Sequence, residues 1–148
     1  MGDIRHVLDG MRVLIVEDES DTRDLLGIVL EWHGASVFLT GNVADGLEVH
    51  RKQLPDVIVT DIGMPDYNGY ALLAAVRKQE SREKRTTPVI VLTAFSTPAD
   101  RDAALTSGFD AYLTKPFEPE QLVHTIKRLY EDRRADTAAQ NLLRGRSR

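Results

Sequence analysis

Three short apolar runs, residues 13–16, 57–59 and 89–92, are rich in β-branched side chains and almost unbroken. Such runs mark strands covered on both faces, because a half-exposed strand would alternate polar with apolar residues. Residues 111–113 repeat the pattern more weakly, and Ser36–Thr40 is polar enough for an edge strand. The intervening segments carry helical spacing. Residues 20–33 have Ser20 placed to cap, Leu25, Val29 and Trp32 on one face, and Gly34 as terminator. Residues 42–53 offer Ala44 and Leu47 as core positions, and 69–82 offer Leu72, Leu73 and Val76. Thr97-Pro98-Ala99-Asp100 reads as a helix start, with a cap, proline in the first turn and an acid three residues after the cap; Gly108 ends that helix. A last helix opens at Pro119 and buries Leu122, Ile126 and Leu129. Strand and helix thus alternate five times, and right-handed crossovers turn that order into a doubly wound α/β domain, a parallel sheet with helices on both faces.

A chain of 148 residues suits one domain with one core. The expected division is an N-terminal extension over 1–10, the folded domain over 11–131, and a tail over 132–148 that continues the last helix and then frays. The net charge of −4 argues against a general binder of nucleic acid or anionic membrane, which would present a basic surface. With no cysteine there is neither a disulfide framework nor a thiolate metal site, and a reducing cytoplasm is expected. The first six residues are too polar for a signal peptide, and His6 stands where a myristoylation signal needs Ser or Thr. His6, His33, His50 and His124 show no ligand spacing and read as surface or boundary residues.

Ligands of open parallel sheets bind beyond the carboxyl ends of the strands. At those ends stand Glu17 and Asp18 after the first run, Asp61 after the third, Thr93 after the fourth and Lys115 after the fifth. Three carboxylates within about 5 Å repel one another by roughly 3 kcal/mol per pair at an effective dielectric near 20, so a cation is expected among them. Mg²⁺, which takes a few carboxylates, several waters and a phosphate oxygen, suits a partly open site better than Ca²⁺. Lys115 supplies a point charge for a phosphate or a nucleophilic carboxylate, and Thr93 a short donor.

The ordered set Glu17-Asp18, Asp61-Ile62-Gly63-Met64-Pro65, Thr93-Ala94 and Lys115-Pro116 resembles the receiver domain of bacterial two-component response regulators, over about residues 11–130. The resemblance implies a flavodoxin-like sheet of order 2-1-3-4-5. It implies Asp61 as phosphoacceptor, Asp18 as a direct Mg²⁺ ligand, Glu17 as an acid reaching the metal through water, and Gly63 as a backbone-carbonyl ligand. Glu17 departs from the commoner aspartate. Thr93, the Ala94 N–H and Lys115 would hold the phosphate. Thr93 and Tyr112 would form the switch, with the Tyr112 ring turning inward on phosphorylation, and Gly63 and Phe95 would tune hydrolysis. The Lys115-Pro116 bond would be cis. Implied partners are a histidine kinase or histidine phosphotransfer protein and a downstream protein target, with a phosphorylation-linked homodimer compatible and neither DNA nor membrane contact expected.

The domain would not be an enzyme in the usual sense, but would promote its own phosphorylation and dephosphorylation. Two other readings have support in the residues. A receiver segment of a hybrid histidine kinase carries the same motifs. A phosphatase with an Asp nucleophile, of the haloacid-dehalogenase type, would need a second Asp two residues on as proton donor, where this chain has Gly63. A degenerate receiver serving only as a docking module conflicts with the complete acid and lysine set.

Overall fold

The computed structural model describes residues 6–63, 68–81, 83, 85–94 and 97–146. The unbroken apolar runs become the strands β1 (Arg12–Val16), β3 (Val57–Thr60) and β4 (Val89–Thr93), flanked by β2 (Ser36–Thr40) and β5 (Ala111–Thr114). All pairings are parallel, in the order β2-β1-β3-β4-β5. The helices are α1 (Ser20–Trp32), α2 (Val43–Gln53), α3 (Gly69–Glu80), α4 (Pro98–Thr106) and α5 (Pro119–Arg146).

Alternate residues of each strand feed opposite faces of the sheet. Val13, Ile15, Val57, Val59, Ile90 and Leu92 pack under Leu26 and Leu30 of α1 and Leu122 and Ile126 of α5. Leu14, Val16, Ile58, Val89 and Val91 pack against Leu72, Leu73 and Val76 of α3 and Ala104 of α4. Full burial of each such side chain contributes about 1.5–3 kcal/mol against exposure. Among the described residues no helix is long and apolar enough to cross a membrane.

The structure departs from the sequence reading at several elements. The cap of α1 is Glu19 rather than Ser20, its carboxylate accepting from the Asp21 and Thr22 N–H groups. The buried face of α1 is Leu26, Gly27 and Leu30, while Leu25, Ile28 and Trp32 are exposed. Gly27 decides this rotation: a Cβ there would lie 3.2 Å from the Leu39 side chain, so α1 approaches β2 along its glycine. In α2, Val43, Gly46 and His50 are buried and Ala44 is exposed. A Cβ on Gly46 would stand 2.7 Å from Val16 Cγ2, the same kind of close approach.

Residues 6–10 do not stand apart from the domain. Leu8 is fully buried, its N–H donates to the His33 carbonyl, and it joins the core under α1. Gly34, at φ +101°, lets the chain turn where a side chain would collide with Asp9. At the other end the expected tail is helical through Arg146, and from residue 131 to 143 every residue except the half-buried Arg133 is exposed.

The histidines also divide differently. His50 is buried beside Glu80, its Nε2 3.0 Å from Glu80 Oε2 and its Nδ1 2.9 Å from Gln79 Oε1. Glu80 also accepts from the Thr87 N–H at 2.9 Å, from the Thr87 hydroxyl, and from Arg77 at 2.9 Å. Burial alone would push this carboxyl up, but the hydrogen bonds from His50 and Thr87 outweigh it and hold its pKa at about 2. The cluster ties α2 and α3 to the start of β4, at the sheet edge opposite Asp61.

Candidate functional site

Each site residue stands at the end of a strand or one residue past it, so the parallel register brings Glu17, Asp61, Thr93 and Lys115 to one edge. The Glu17 N–H donates to the Thr40 carbonyl at 3.0 Å and the Lys115 N–H to the Thr93 carbonyl at 2.8 Å, which extends the ladder one residue past β1 and β5. The Lys115-Pro116 bond is cis.

Lys115 is the hub. Its Nζ donates to Glu17 Oε1 at 2.6 Å and to Asp61 Oδ2 at 2.9 Å. Asp61 Oδ1 accepts from the Gly63 N–H at 3.0 Å. Below these groups the walls are Val16, Leu26, Val59 and Leu92, an apolar floor that strengthens every charge interaction above it. Burial would pull the Lys115 ammonium down, yet its two carboxylate partners hold it above the ordinary lysine value. Burial likewise opposes the Asp61 carboxylate, but the Gly63 N–H, Lys115 and the Thr93 hydroxyl together lower its pKa. Glu17, 3 % exposed, is raised: its burial exceeds what Lys115 returns, and Asp61 and Asp18 add repulsion.

The opposite directions of the two acids that share Lys115 follow from their surroundings. Asp61 has a backbone donor on its second oxygen, whereas Glu17 Oε2 is buried without a hydrogen-bond partner. An uncompensated carboxylate oxygen costs about 1–3 kcal/mol or more. Among the described residues no three acids or imidazoles converge as a ready metal cage, because Lys115 bridges two of the three acids and Asp18 faces solvent. The donor set itself, with the orphaned Glu17 oxygen, the exposed Asp18 carboxylate and Asp61, fits a hard cation that keeps several waters.

The helix that follows Asp61 is tied to it directly. The Gly69 N–H donates to the Ile62 carbonyl at 3.1 Å, and a Cβ on Gly69 would come within 2.7 Å of the Asp61 carbonyl oxygen. Asn68 caps α3 through the Ala71 N–H. Thr93 is buried at the end of β4, and Ala94 is exposed beside it. Tyr112 is 8 % exposed and lies in the cluster with Val91, Ala104 and Phe109. Phe95, like Met64 and Pro65, lies outside the described residues. Sequence reasoning passed over Arg23, whose Nη1 donates to the Glu17 carbonyl at 2.9 Å, and Gly41, which leaves room for that guanidinium. Arginine on the first turn of a helix facing an acid pair was the only available signal.

The family model of the response regulator receiver domain matches residues 13–127. An uncharacterized 14.6 kDa protein of Leptolyngbya boryana is 42% identical over 117 residues, covering 79% of this chain and 88% of its own length. The probable transcriptional regulatory protein TcrX of Mycobacterium tuberculosis is 35% identical over 117 residues, covering 79% of this chain and 48% of its own length. The chain spans about half the length of several such relatives. Among solved structures, the Vibrio cholerae chemotaxis protein CheY4 superposes with a TM-score of 0.73 at 30% identity, over 80% of this chain and 98% of that one. A CheY-like receiver from Methanospirillum hungatei superposes at 0.76 with 26% identity, over 85% and 98%. With the sheet order and the strand-end acids and lysine in agreement, the chain belongs to the receiver domains of two-component response regulators.

Proposed function

We propose that the domain is a Mg²⁺-dependent phosphorylation switch in which Asp61 accepts a phosphoryl group from a phosphohistidine of a histidine kinase or phosphotransfer protein. The observation that carries this reading is the Asp61 carboxylate, lowered in pKa and held by Lys115 and the Gly63 N–H at an open strand end. A carboxylate kept ionised is available as a nucleophile. Its oxygen forms the new P–O bond while the P–N bond of phosphohistidine breaks, and the departing imidazole nitrogen takes a proton from water. Lys115 neutralises phosphate charge, and the Thr93 hydroxyl and Ala94 N–H donate to phosphate oxygens.

Glu17, Asp18, Asp61 and the Gly63 carbonyl would hold the Mg²⁺, which when bound offsets the negative charge of phosphate and carboxylates together. With a third anion present, Lys115 has a stronger partner than Glu17, and the Glu17 oxygens become free to hold metal-bound water. Thr93 drawn toward the phosphate, with Tyr112 packed behind it, alters the surface of α4 and β5; output passes by protein contact or onward transfer. Leu25 and Ile28 lie exposed on the helix that begins at the acid pair, an apolar row suited to a partner helix presenting its histidine to Asp61. Gly63, which lacks a side chain to orient water, and Phe95 set the lifetime of the acyl phosphate.

The test is intact mass after incubation with acetyl phosphate and Mg²⁺. One phosphoryl group is expected on the parent and none on Asp61→Asn, whose amide is not a competent nucleophile; equal labelling of the two rejects the assignment.

A further inference from the structure

Glu17 lies one residue beyond β1. Its N–H is held by the Thr40 carbonyl, while its own carbonyl has no backbone donor among the described residues. A carbonyl in that position would be left half-buried and unpaired. Arg23, one turn into α1, supplies the missing donor at 2.9 Å. Its guanidinium sits against Gly41, at the end of β2, where a Cβ would lie 2.9 Å from Nη1 and 3.8 Å from the Glu17 carbonyl oxygen. Among the described residues Arg23 forms no ion pair, so it grips the backbone of the acid pair and leaves the carboxylates of Glu17 and Asp18 uncommitted to it.

We propose that Arg23 is a positioning residue for divalent-cation binding, clamping the Glu17 peptide through the space left by Gly41 so that Asp18 is presented at the sheet edge in one orientation. The proposal rests on the phosphoacceptor reading above. The Glu17 carbonyl belongs to the peptide unit that carries the Asp18 nitrogen, so its direction sets where the Asp18 side chain begins. With the Glu17 N–H bonded to β2 and this carbonyl to α1, both flanking peptides are fixed before any ligand arrives. Without Arg23 the second is free to rotate, and the cation must order it. A group that orients a metal ligand in this way acts as an outer-shell partner.

The experiment compares the parent with R23A, R23K and G41A. Mg²⁺ half-saturation is measured by calorimetry, amide hydrogen exchange is followed at Asp18, and phosphorylation by acetyl phosphate is recorded against Mg²⁺ concentration. R23A should raise half-saturation about tenfold, the low end of the cost of losing an outer-shell partner, speed exchange at Asp18, and regain full labelling at saturating Mg²⁺. R23K, which keeps a donor and the charge, should recover part of the affinity. G41A leaves the arginine in place but crowds it, and should shift half-saturation in the same direction. A merely structural arginine would lower stability with no change in Mg²⁺ response, and that result in R23A overturns the proposal. If R23A does not fold, a parent-like Mg²⁺ response in G41A overturns it. A parent that takes up neither Mg²⁺ nor a phosphoryl group rejects the phosphoacceptor reading itself, and the proposal with it.

Discussion

Glu80→Gln should cost stability that depends on pH in a defined direction. The side chain is 2 % exposed, so solvent screening does little to reduce the effect. Its pKa falls from 4.5 to about 2 on folding, and at about 1.4 kcal/mol per pH unit this corresponds to roughly 3 kcal/mol. Because the folded value is the lower one, the contribution is complete above pH 4.5 and is lost as pH falls toward 2. Glutamine keeps the shape and one acceptor but loses the charge facing His50 and Arg77, as happens when one partner leaves a buried pair. Urea unfolding of both proteins at pH 7, 5, 4 and 3 isolates the effect, since carboxylates elsewhere cancel in the difference. The expected gap is roughly 3 kcal/mol at pH 7, about 6–12 °C in Tm for a domain of this size, closing progressively below pH 4.5. A gap that stays constant down to pH 3, or no gap at pH 7, would refute the assignment of Glu80 as an ionised buried partner.

Leu8→Ala should destabilise the domain by about 2–5 kcal/mol in urea unfolding, as for other fully buried leucines; a change below about 0.5 kcal/mol would make residues 6–10 an appendage after all. Leu25→Ser, at a position 56% exposed, should leave stability within about 0.5 kcal/mol and acetyl phosphate labelling unchanged. The same variant should slow transfer from a phosphorylated histidine partner that labels the parent, and equal transfer rates would dismiss this face of α1 as the docking row. Phe95→Ala should shorten the phosphorylated lifetime about tenfold, equivalent to roughly 1.4 kcal/mol in the barrier, followed by the decay of the acyl phosphate after the donor is removed. An unchanged lifetime with weakened partner binding would assign Phe95 to an interface instead.

The strands and the polar residues at their ends were legible because each buried parallel strand is an unbroken apolar run and the polar residue at its end has nowhere else to stand. Asp61, Thr93 and Lys115 needed only the rule that such ends converge. The orientation of α1 was not legible. Leu25, Leu26, Ile28, Val29, Leu30 and Trp32 surround the helix with apolar side chains, so spacing alone cannot choose a face; Gly27 against Leu39 chooses it, and that contact exists only once β2 is in place. His50 and Glu80 are 30 residues apart, and nothing local marks either as buried. Arg23 was passed over for a related reason, because the carbonyl it satisfies is a backbone atom that no side-chain pattern encodes.

The length of α5 has a mechanical consequence. The helix runs to Arg146, and Tyr130 is the last of its residues packed against the core. Arg133 is still half-buried, and at 1.5 Å per residue the thirteen residues beyond it, 134–146, form a rod of about 20 Å, anchored at one end. A pivot of about 5° at the anchor, small enough to leave the packing of Leu122 and Ile126 intact, carries the far end through roughly 2 Å. A motion too slight to register at the sheet would thus be converted by leverage into a displacement of the size that makes or breaks a contact.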